Sequence, residues 1–144
     1  MIVGLDTTFL VQHDVREAPH HAWARRFLRE SVLERGDAVG LAPQVLAEYI
    51  HIVSDPKRFE SPLSMERALE RAAVWWGLVE AHKILPDEDT VALFFEWMGQ
   101  LRLGRKRILD TFLAATYASH GIRSILSTDF EGFRVFTGLE VLHP

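Results

Sequence analysis

The sequence lacks several features that would place it in other protein classes. It contains no cysteine, so disulfide bonds and thiolate metal sites are excluded, and nothing indicates an oxidising compartment. No apolar run is long enough to span a bilayer, and the first residues lack the basic segment of a signal peptide. We therefore expect a cytoplasmic protein that has no membrane partner.

The motifs of several enzyme classes are absent too. There is no glycine-rich phosphate loop, no Ser-His-Asp order and no nucleophile elbow, so neither nucleotide-cofactor binding nor serine hydrolysis is indicated. The seven histidines include no His-x-x-x-His pair. His20 and His21 are adjacent and would point in different directions on a helix. A histidine metal site is therefore not expected.

The charge balance is mildly acidic. The formal net charge is −4, which argues against a general nucleic-acid coat protein, since such proteins are basic. It does not exclude a nuclease, because acids that hold a divalent metal make the metal-free chain more acidic than the working site. The basic residues that could meet an RNA backbone are local, and the densest group is Arg105, Lys106 and Arg107.

Alternating apolar patterns predict the fold class. The chain has 144 residues, 48% of them hydrophobic, which suits one domain over residues 1–144 with a substantial core. Short apolar strands alternate with helical patterns, so we predict an α/β domain with a short central parallel sheet flanked by helices on both sides. The predicted strands cover residues 2–5, 38–42, 83–86, 122–126 and 140–142, the last at an edge. The predicted helices begin near Pro19, Pro43, Ser64, Asp87 and Ile108.

Two acids follow predicted strands. Asp6 comes directly after the first strand, and Asp129 comes shortly after the fourth. In open parallel sheets, ligands bind beyond the carboxyl ends of the strands, where the strand order reverses. We therefore expect both acids in one crevice. The alternative is that Asp6 simply caps a helix or a turn, as Asp often does after a strand, and that Asp129 forms an Asx-type turn as the chain leaves its strand.

Two further acids lie on predicted helices. Glu48 shares a helical face with Gln44, and its alternative interpretation is a solvent-facing acid on an amphipathic helix. Asp110 lies in the first turns of an apolar helix, between Leu109 and Phe112. We expect both sides of this helix to be buried, so its carboxylate would need a partner or a metal. The alternative is an acid stabilised by the positive end of the helix dipole.

A cluster of these carboxylates favours metal-dependent phosphodiester chemistry. Clustered carboxylates repel one another and are tolerable only when a cation or protons neutralise them. Oxygen ligands without cysteine favour Mg2+ or Mn2+ over Zn2+. Such a site polarises a phosphoryl oxygen and lowers the pKa of a bound water. Hydrolysis of a phosphodiester bond is the natural reaction.

Short motifs along the whole chain resemble a known family. Residues 3–10, 46–48, 109–118 with 120–121, and 126–129 look like the PIN domain, and most like the VapC-type toxins of bacterial and archaeal toxin–antitoxin pairs. The family often carries Asn two residues after its first acid, whereas this chain carries Thr8, whose hydroxyl can still bind a neighbouring carboxylate.

This resemblance implies an activity, a site and partners. It places Asp6, Glu48, Asp110 and Asp129 at the four acidic positions of a Mg2+ or Mn2+ site, with Thr8 and Thr128 beside the first and last of them. It implies an endoribonuclease whose partners are an RNA substrate, a cognate antitoxin protein and a second copy of the chain in a homodimer.

Three other functions stay open at the level of sequence. One is a PIN-domain nuclease with a housekeeping role rather than a toxic one. Another is a phosphatase that uses Asp6 as its nucleophile, although that chemistry usually needs a second acid where Thr8 stands. The third is a non-catalytic, receiver-like interaction module. The phosphatase and the receiver both leave Glu48 and Asp110 unexplained.

Overall fold

Five short parallel strands form the centre of the computed structural model, which describes residues 1–144. They are β1 (Ile2–Leu5), β2 (Ala38–Leu41), β3 (Ala81–Lys83), β4 (Ser124–Leu126) and β5 (Glu140–Leu142). Their order is β3-β2-β1-β4-β5, and every neighbouring pair is parallel. The direction of strand addition therefore reverses at β1 and β4, whose carboxyl ends border the crevice of the fold.

Seven α-helices cover this sheet. They are α1 (Thr7–Asp14), α2 (His21–Arg26), α3 (Pro43–Val53), α4 (Met65–Gly77), α5 (Glu88–Gln100), α6 (Ile108–Ser119) and α7 (Phe130–Phe133). A π-helical stretch, Phe27–Leu33, continues α2, and a 3-10 turn, Arg105–Arg107, precedes α6. Right-handed crossovers place α1–α4 and α5–α7 on opposite faces of the sheet. None of the helices is both long and apolar enough to traverse a lipid bilayer.

The predicted α/β architecture is confirmed, with one strand displaced and two helices missed. The third strand lies at Ala81–Lys83 rather than at residues 83–86. At the edges, β3 and β5 have three residues each and carry the exposed side chains of Lys83 and Glu140. The missed helices are α1 and α7. In α1, the consecutive residues Phe9, Leu10 and Val11 are all buried, so the apolar residues do not recur with a helical period.

Tyr117 of α6 packs directly on β1. Its hydroxyl donates to the carbonyl of Leu5 at 2.5 Å and accepts the backbone N–H of Ala42 at 3.3 Å. The ring lies so close to the sheet that a Cβ at Gly4 would be 2.6 Å from its nearest ring carbon. Any larger residue at Gly4 would therefore push α6 away from the strand ends.

We predict that Gly4→Ala lowers the free energy of unfolding by about 1–3 kcal/mol, because the buried ring cannot move aside without repacking. Gly99→Ala is the matched control, since Gly99 lies in α5 with nothing within 4 Å of the added Cβ. It should be neutral or stabilise by up to about 1 kcal/mol. Urea unfolding of the two variants measures the difference, and equal stabilities would contradict the close packing at Gly4.

A buried carboxylate, Asp14, joins three helices on the opposite face. It accepts hydrogen bonds from the hydroxyl of Tyr49 (2.6 Å), the indole N–H of Trp75 (2.8 Å) and the guanidinium of Arg71 (3.0 Å), and its side chain is only 4% exposed. The His13 Nδ1 lies 2.8 Å from Oδ1 of Asp14, the oxygen that Arg71 also contacts. Burial alone would raise the pKa of Asp14, but these hydrogen bonds outweigh burial and hold it well below its usual range.

The lowered pKa of Asp14 predicts a pH-dependent contribution to stability. In the unfolded chain this carboxyl titrates near pH ~4, so its contribution is fully present above that pH and is lost as the pH falls towards the folded-state pKa. At neutral pH, Asp14→Asn should lower the free energy of unfolding by about 2 kcal/mol.

Denaturant unfolding as a function of pH provides the test. The difference between Asp14→Asn and wild type should shrink below about pH 4. Glu70→Gln is the control, because Glu70 is an exposed acid whose ion pair with Arg67 should be worth less than about 0.5 kcal/mol. A wild-type advantage that stayed constant down to acidic pH would contradict the charge-based role of Asp14.

Candidate functional site

Asp6 lies at the centre of the crevice, between the end of β1 and the start of α1. Its residue is 4% exposed. Its Oδ2 accepts hydrogen bonds from the hydroxyls of Thr8 and Ser127, both at 2.7 Å. No side chain donates to the other oxygen, Oδ1. One oxygen of Asp6 is thus fixed by the protein, and the other is available to a ligand.

The two hydroxyls that hold Asp6 are themselves oriented by the backbone. The backbone N–H of Thr128 donates to Thr8 at 3.1 Å, and that of Asp129 donates to Ser127 at 2.9 Å. A hydroxyl has one hydrogen, and each gives that hydrogen to Asp6. Thr128 therefore contributes its backbone N–H to this arrangement, whereas Ser127, which the sequence analysis missed, contributes a side chain.

Glu48 enters the crevice from the second turn of α3. Its Oε2 accepts a hydrogen bond from the hydroxyl of Thr7 at 2.7 Å, and Thr7 is buried. Thr7 was also missed from the sequence, although two consecutive threonines directly after a strand-end acid were a visible signal. Because Thr7 and Thr8 are adjacent at the start of α1, their hydroxyls serve two different acids.

Asp110 lies in the first turn of α6 and is partly buried. The expectation that both sides of this helix are buried is wrong. Leu109 is 63% exposed and Ile108 is 40% exposed, because the 3-10 turn brings α6 in from the surface and only later turns face the sheet. The carboxylate therefore lies at the mouth of the crevice rather than inside the core.

Asp129 follows β4 and caps α7. Its Oδ1 accepts the backbone N–H of Gly132 at 3.0 Å, so it has a local helix-capping role, whereas the alternative interpretation had proposed an Asx-type turn. Capping and ligand binding are compatible, since only one carboxylate oxygen is used. The cap also fixes the direction in which the second oxygen points.

The four acids influence one another electrostatically. Burial, with a smaller contribution from the charge of Asp110, raises the pKa of Asp6 to about 6, against the lowering effect of the Ser127 and Thr8 hydroxyls. Burial also raises the pKa of Asp110, and the charges of Asp129 and Glu48 add to that effect. Asp110 therefore interacts electrostatically with each of the other three predicted acids. The amino ends of α1, α3 and α6 face the same crevice and partly offset the repulsion.

The donor set suits a hard divalent cation. It consists of carboxylate oxygens supported by hydroxyls, with an excess of negative charge that a cation would relieve. As positioned, however, the side chains contain no group of three or more acids or histidines close enough to hold one ion. Asp6, Glu48 and Asp129 each engage a protein donor through one oxygen. Binding a metal would therefore draw the second oxygens together.

Two clefts flank the acids. One, of about 210 Å³, lies between α3 and α6 and is lined by Glu48, Asp110 and apolar side chains including Phe112. Gln44 lines the same cleft, and its Oε1 is buried without a hydrogen-bond partner. The other cleft, of about 340 Å³, is bordered by residues that include Thr8, Thr128, Arg58 and Phe59.

The basic residues of the 3-10 turn differ from one another. Arg105 and Lys106 are exposed. The side chain of Arg107 is only 27% exposed, and its guanidinium donates to the carbonyl of Gly132 and lies 3.9 Å from Asp110 Oδ2. Arg105 and Lys106 are thus free to meet a ligand, whereas Arg107 is engaged by the protein.

The sequence and the fold of this chain resemble those of known proteins. The family model of the PIN domain matches residues 3–138. Ribonuclease VapC24 of Mycobacterium tuberculosis is 26% identical over 148 aligned residues, which cover 99% of this chain and 97% of that protein.

Solved structures share the fold at low sequence identity. Mycobacterium tuberculosis VapC20, described as a Sarcin-Ricin loop cleaving toxin, superposes with a TM-score of 0.72 at 16% identity, over 94% of this chain and 95% of that one. VapBC2 from Rickettsia felis, bound to a DNA fragment from its promoter, gives 0.70 at 15% identity, over 100% and 99%. At this identity the likeness shows the fold alone.

Proposed function

Because this chain belongs to the PIN domain family, we propose that it is a metal-dependent endoribonuclease and the toxin of a toxin–antitoxin pair. One observation carries the proposal. Asp6, Glu48, Asp110 and Asp129 come from four separate parts of the chain and lie around the reversal point of the sheet, where the charge of Asp110 raises the pKa of Asp6 and the charges of Asp129 and Glu48 raise that of Asp110. Burial and this repulsion both work against the ionised carboxylates, and a bound cation would relieve both.

The protein's own residues have distinct tasks in this proposal. Asp6 is the central ligand, since Thr8 and Ser127 hold one of its oxygens and leave the other free. Glu48, held by Thr7, and Asp110 face each other across the cleft between α3 and α6. A bound Mg2+ or Mn2+ would polarise the scissile phosphate and lower the pKa of a water. Asp129 completes the set from the start of α7.

The two clefts suggest the path of the RNA across the site. Arg58 and Phe59 border one cleft, where a guanidinium can pair with a phosphate and an aromatic ring can stack on a base. Arg105 and Lys106 are exposed on the turn before α6. The RNA would therefore cross the acids with cations on either side, which explains how a chain of net charge −4 can bind a polyanion.

Two alternative functions fit the site less well. A phosphatase with Asp6 as nucleophile would need a general acid two residues later, but Thr8 stands there and its hydrogen is committed to Asp6. A receiver-like module would need one acidic strand end, and it would leave unexplained why Glu48 and Asp110 share the crevice. A housekeeping nuclease would have the same site, and it would differ from a toxin only in its cellular role.

The toxin role rests on the named relatives and on the surface. Several structures of similar fold are VapBC toxin–antitoxin complexes. Large apolar side chains are exposed on α5 and α6, which is typical of an interaction surface; they are Val91, Phe95, Ile108 and Leu109. We propose that apolar surface of this kind serves a cognate antitoxin and a second copy of the chain, and that the protein acts in the cytoplasm.

We predict that Asp110→Asn lowers kcat/KM for RNA cleavage roughly hundredfold or more, because the variant removes a charge that acts at the reacting phosphate. EDTA should stop wild-type cleavage, and Mn2+ or Mg2+ should restore it. The measurement is cleavage of a fluorescent RNA by purified protein, with folding checked by circular dichroism.

Asp89→Asn is the matched control for this experiment. Asp89 is an exposed acid in the first turn of α5, as Asp110 is in the first turn of α6, and its loss should leave cleavage unchanged. Undiminished cleavage by Asp110→Asn would remove the shared site from the proposal. Full activity after exhaustive metal removal would favour a metal-independent nuclease.

We predict that induction of the wild-type chain alone arrests growth of a bacterial host, whereas induction of Asp110→Asn to the same level does not. The reason is that unrestrained cleavage of cellular RNA stops translation. Growth curves and viable counts after induction provide the measurement. If wild-type protein that cleaves RNA in vitro is harmless at high expression, the housekeeping alternative is preferred.

A further inference from the structure

Arg107 connects two of the four acids. Its guanidinium donates to the backbone carbonyl of Gly132, and its Nε lies 3.9 Å from Asp110 Oδ2. The N–H of the same Gly132 donates to Asp129 Oδ1 at 3.0 Å. A continuous chain of contacts therefore runs from Asp110 through Arg107 and Gly132 to Asp129, across the gap between α6 and α7.

The contact at Gly132 leaves no room for a side chain. A Cβ added there would lie 2.2 Å from Asp129 Oδ2 and 2.6 Å from its Cγ. The Asp129 carboxylate thus occupies the space in which a side chain at position 132 would begin. A shift of the Gly132 peptide would move Asp129 directly.

The burial of Arg107 argues against a primary role in binding the RNA backbone. Its Nε is buried and has no hydrogen-bond partner, and its side chain is 27% exposed. Arg105 and Lys106, on the same turn, are exposed and have no ion pair. A residue that meets phosphate from solution would resemble these two neighbours rather than Arg107.

We propose that Arg107 is a positioning residue that locks the Asp129–Gly132 turn to α6, and so fixes the spacing between Asp110 and Asp129. This inference rests on the proposed function for its consequence, because the spacing matters only if the two acids share a metal. Arg107 is thus assigned to positioning the acids, and no longer to the RNA contact that the sequence predicts for it.

The test separates positioning from a charge effect. Removing a cation beside Asp110 should by itself tighten Mn2+ binding, since a competing positive charge is lost. Loss of positioning has the opposite effect, because residues that orient metal ligands typically contribute about tenfold or more to affinity. We therefore expect Arg107→Ala to weaken Mn2+ binding about tenfold in calorimetry. Arg107→Lys, which can still donate to Gly132, should recover most of that loss.

A second measurement needs neither metal nor activity. In metal-free protein, amide hydrogen exchange at Gly132 should become roughly fivefold faster in Arg107→Ala, since one net hydrogen bond that restrains the turn is lost. Arg134→Ala is the control, because Arg134 flanks α7 and its guanidinium contacts only Glu131 and the Phe130 ring, both of α7 itself. Its exchange rate at Gly132 and its Mn2+ affinity should match those of wild type.

RNA affinity, measured in EDTA, completes the comparison. Arg107→Ala should bind RNA within about twofold of wild type, whereas Arg105→Ala should bind more weakly and keep its Mn2+ affinity. Unchanged exchange at Gly132, or tighter Mn2+ binding by Arg107→Ala, would overturn the proposal. If wild type bound no Mn2+, the proposed metal site would fail, while the exchange experiment would still decide whether Arg107 holds the turn.

Discussion

The close approach of Tyr117 to β1 sets the position of α6, and with it the position of Asp110, relative to the sheet. The Tyr117 hydroxyl bonds to the carbonyl of Leu5, the last residue of β1, and to the N–H of Ala42, the residue that follows β2. Asp110 lies seven residues earlier on the same helix, about two turns away and on the same face. The contact that seats α6 on Gly4 therefore also sets the height of Asp110 above Asp6. A helix seated elsewhere would separate the acids without changing the topology of the sheet.

The acid cluster is a source of instability that the rest of the chain offsets. Burial and mutual repulsion raise the pKa of Asp6 and of Asp110, so the ionised cluster works against folding at neutral pH. Asp14 has the reverse character, because its donors outweigh burial and lower its pKa. Asp6 and Asp14 are both largely buried, and they lie at opposite ends of α1. The difference lies in the number of donors that surround each of them.

Much of the fold could be predicted from the sequence, because parallel strands are short apolar runs and most helices here have a polar face. The missed helix α1 has Phe9, Leu10 and Val11 all buried, so periodicity could not distinguish it from a loop. The acids at strand ends followed from the topology of parallel sheets. The exposure of Leu109 could not, because it depends on how the preceding 3-10 turn directs α6. Likewise, Ser127 and Thr7 could be assigned to Asp6 and Glu48 only once the chain was folded.

The edge strands of the sheet affect how readily this protein aggregates while it folds. An all-parallel sheet pairs residues that are distant in sequence and forms slowly, so its edge strands stay open to other chains during folding. Here β3 and β5 have only three residues each and carry exposed Lys83 and Glu140. Short charged edges discourage the addition of foreign strands. The two edges therefore offer few backbone groups to a foreign strand while the core is still incomplete.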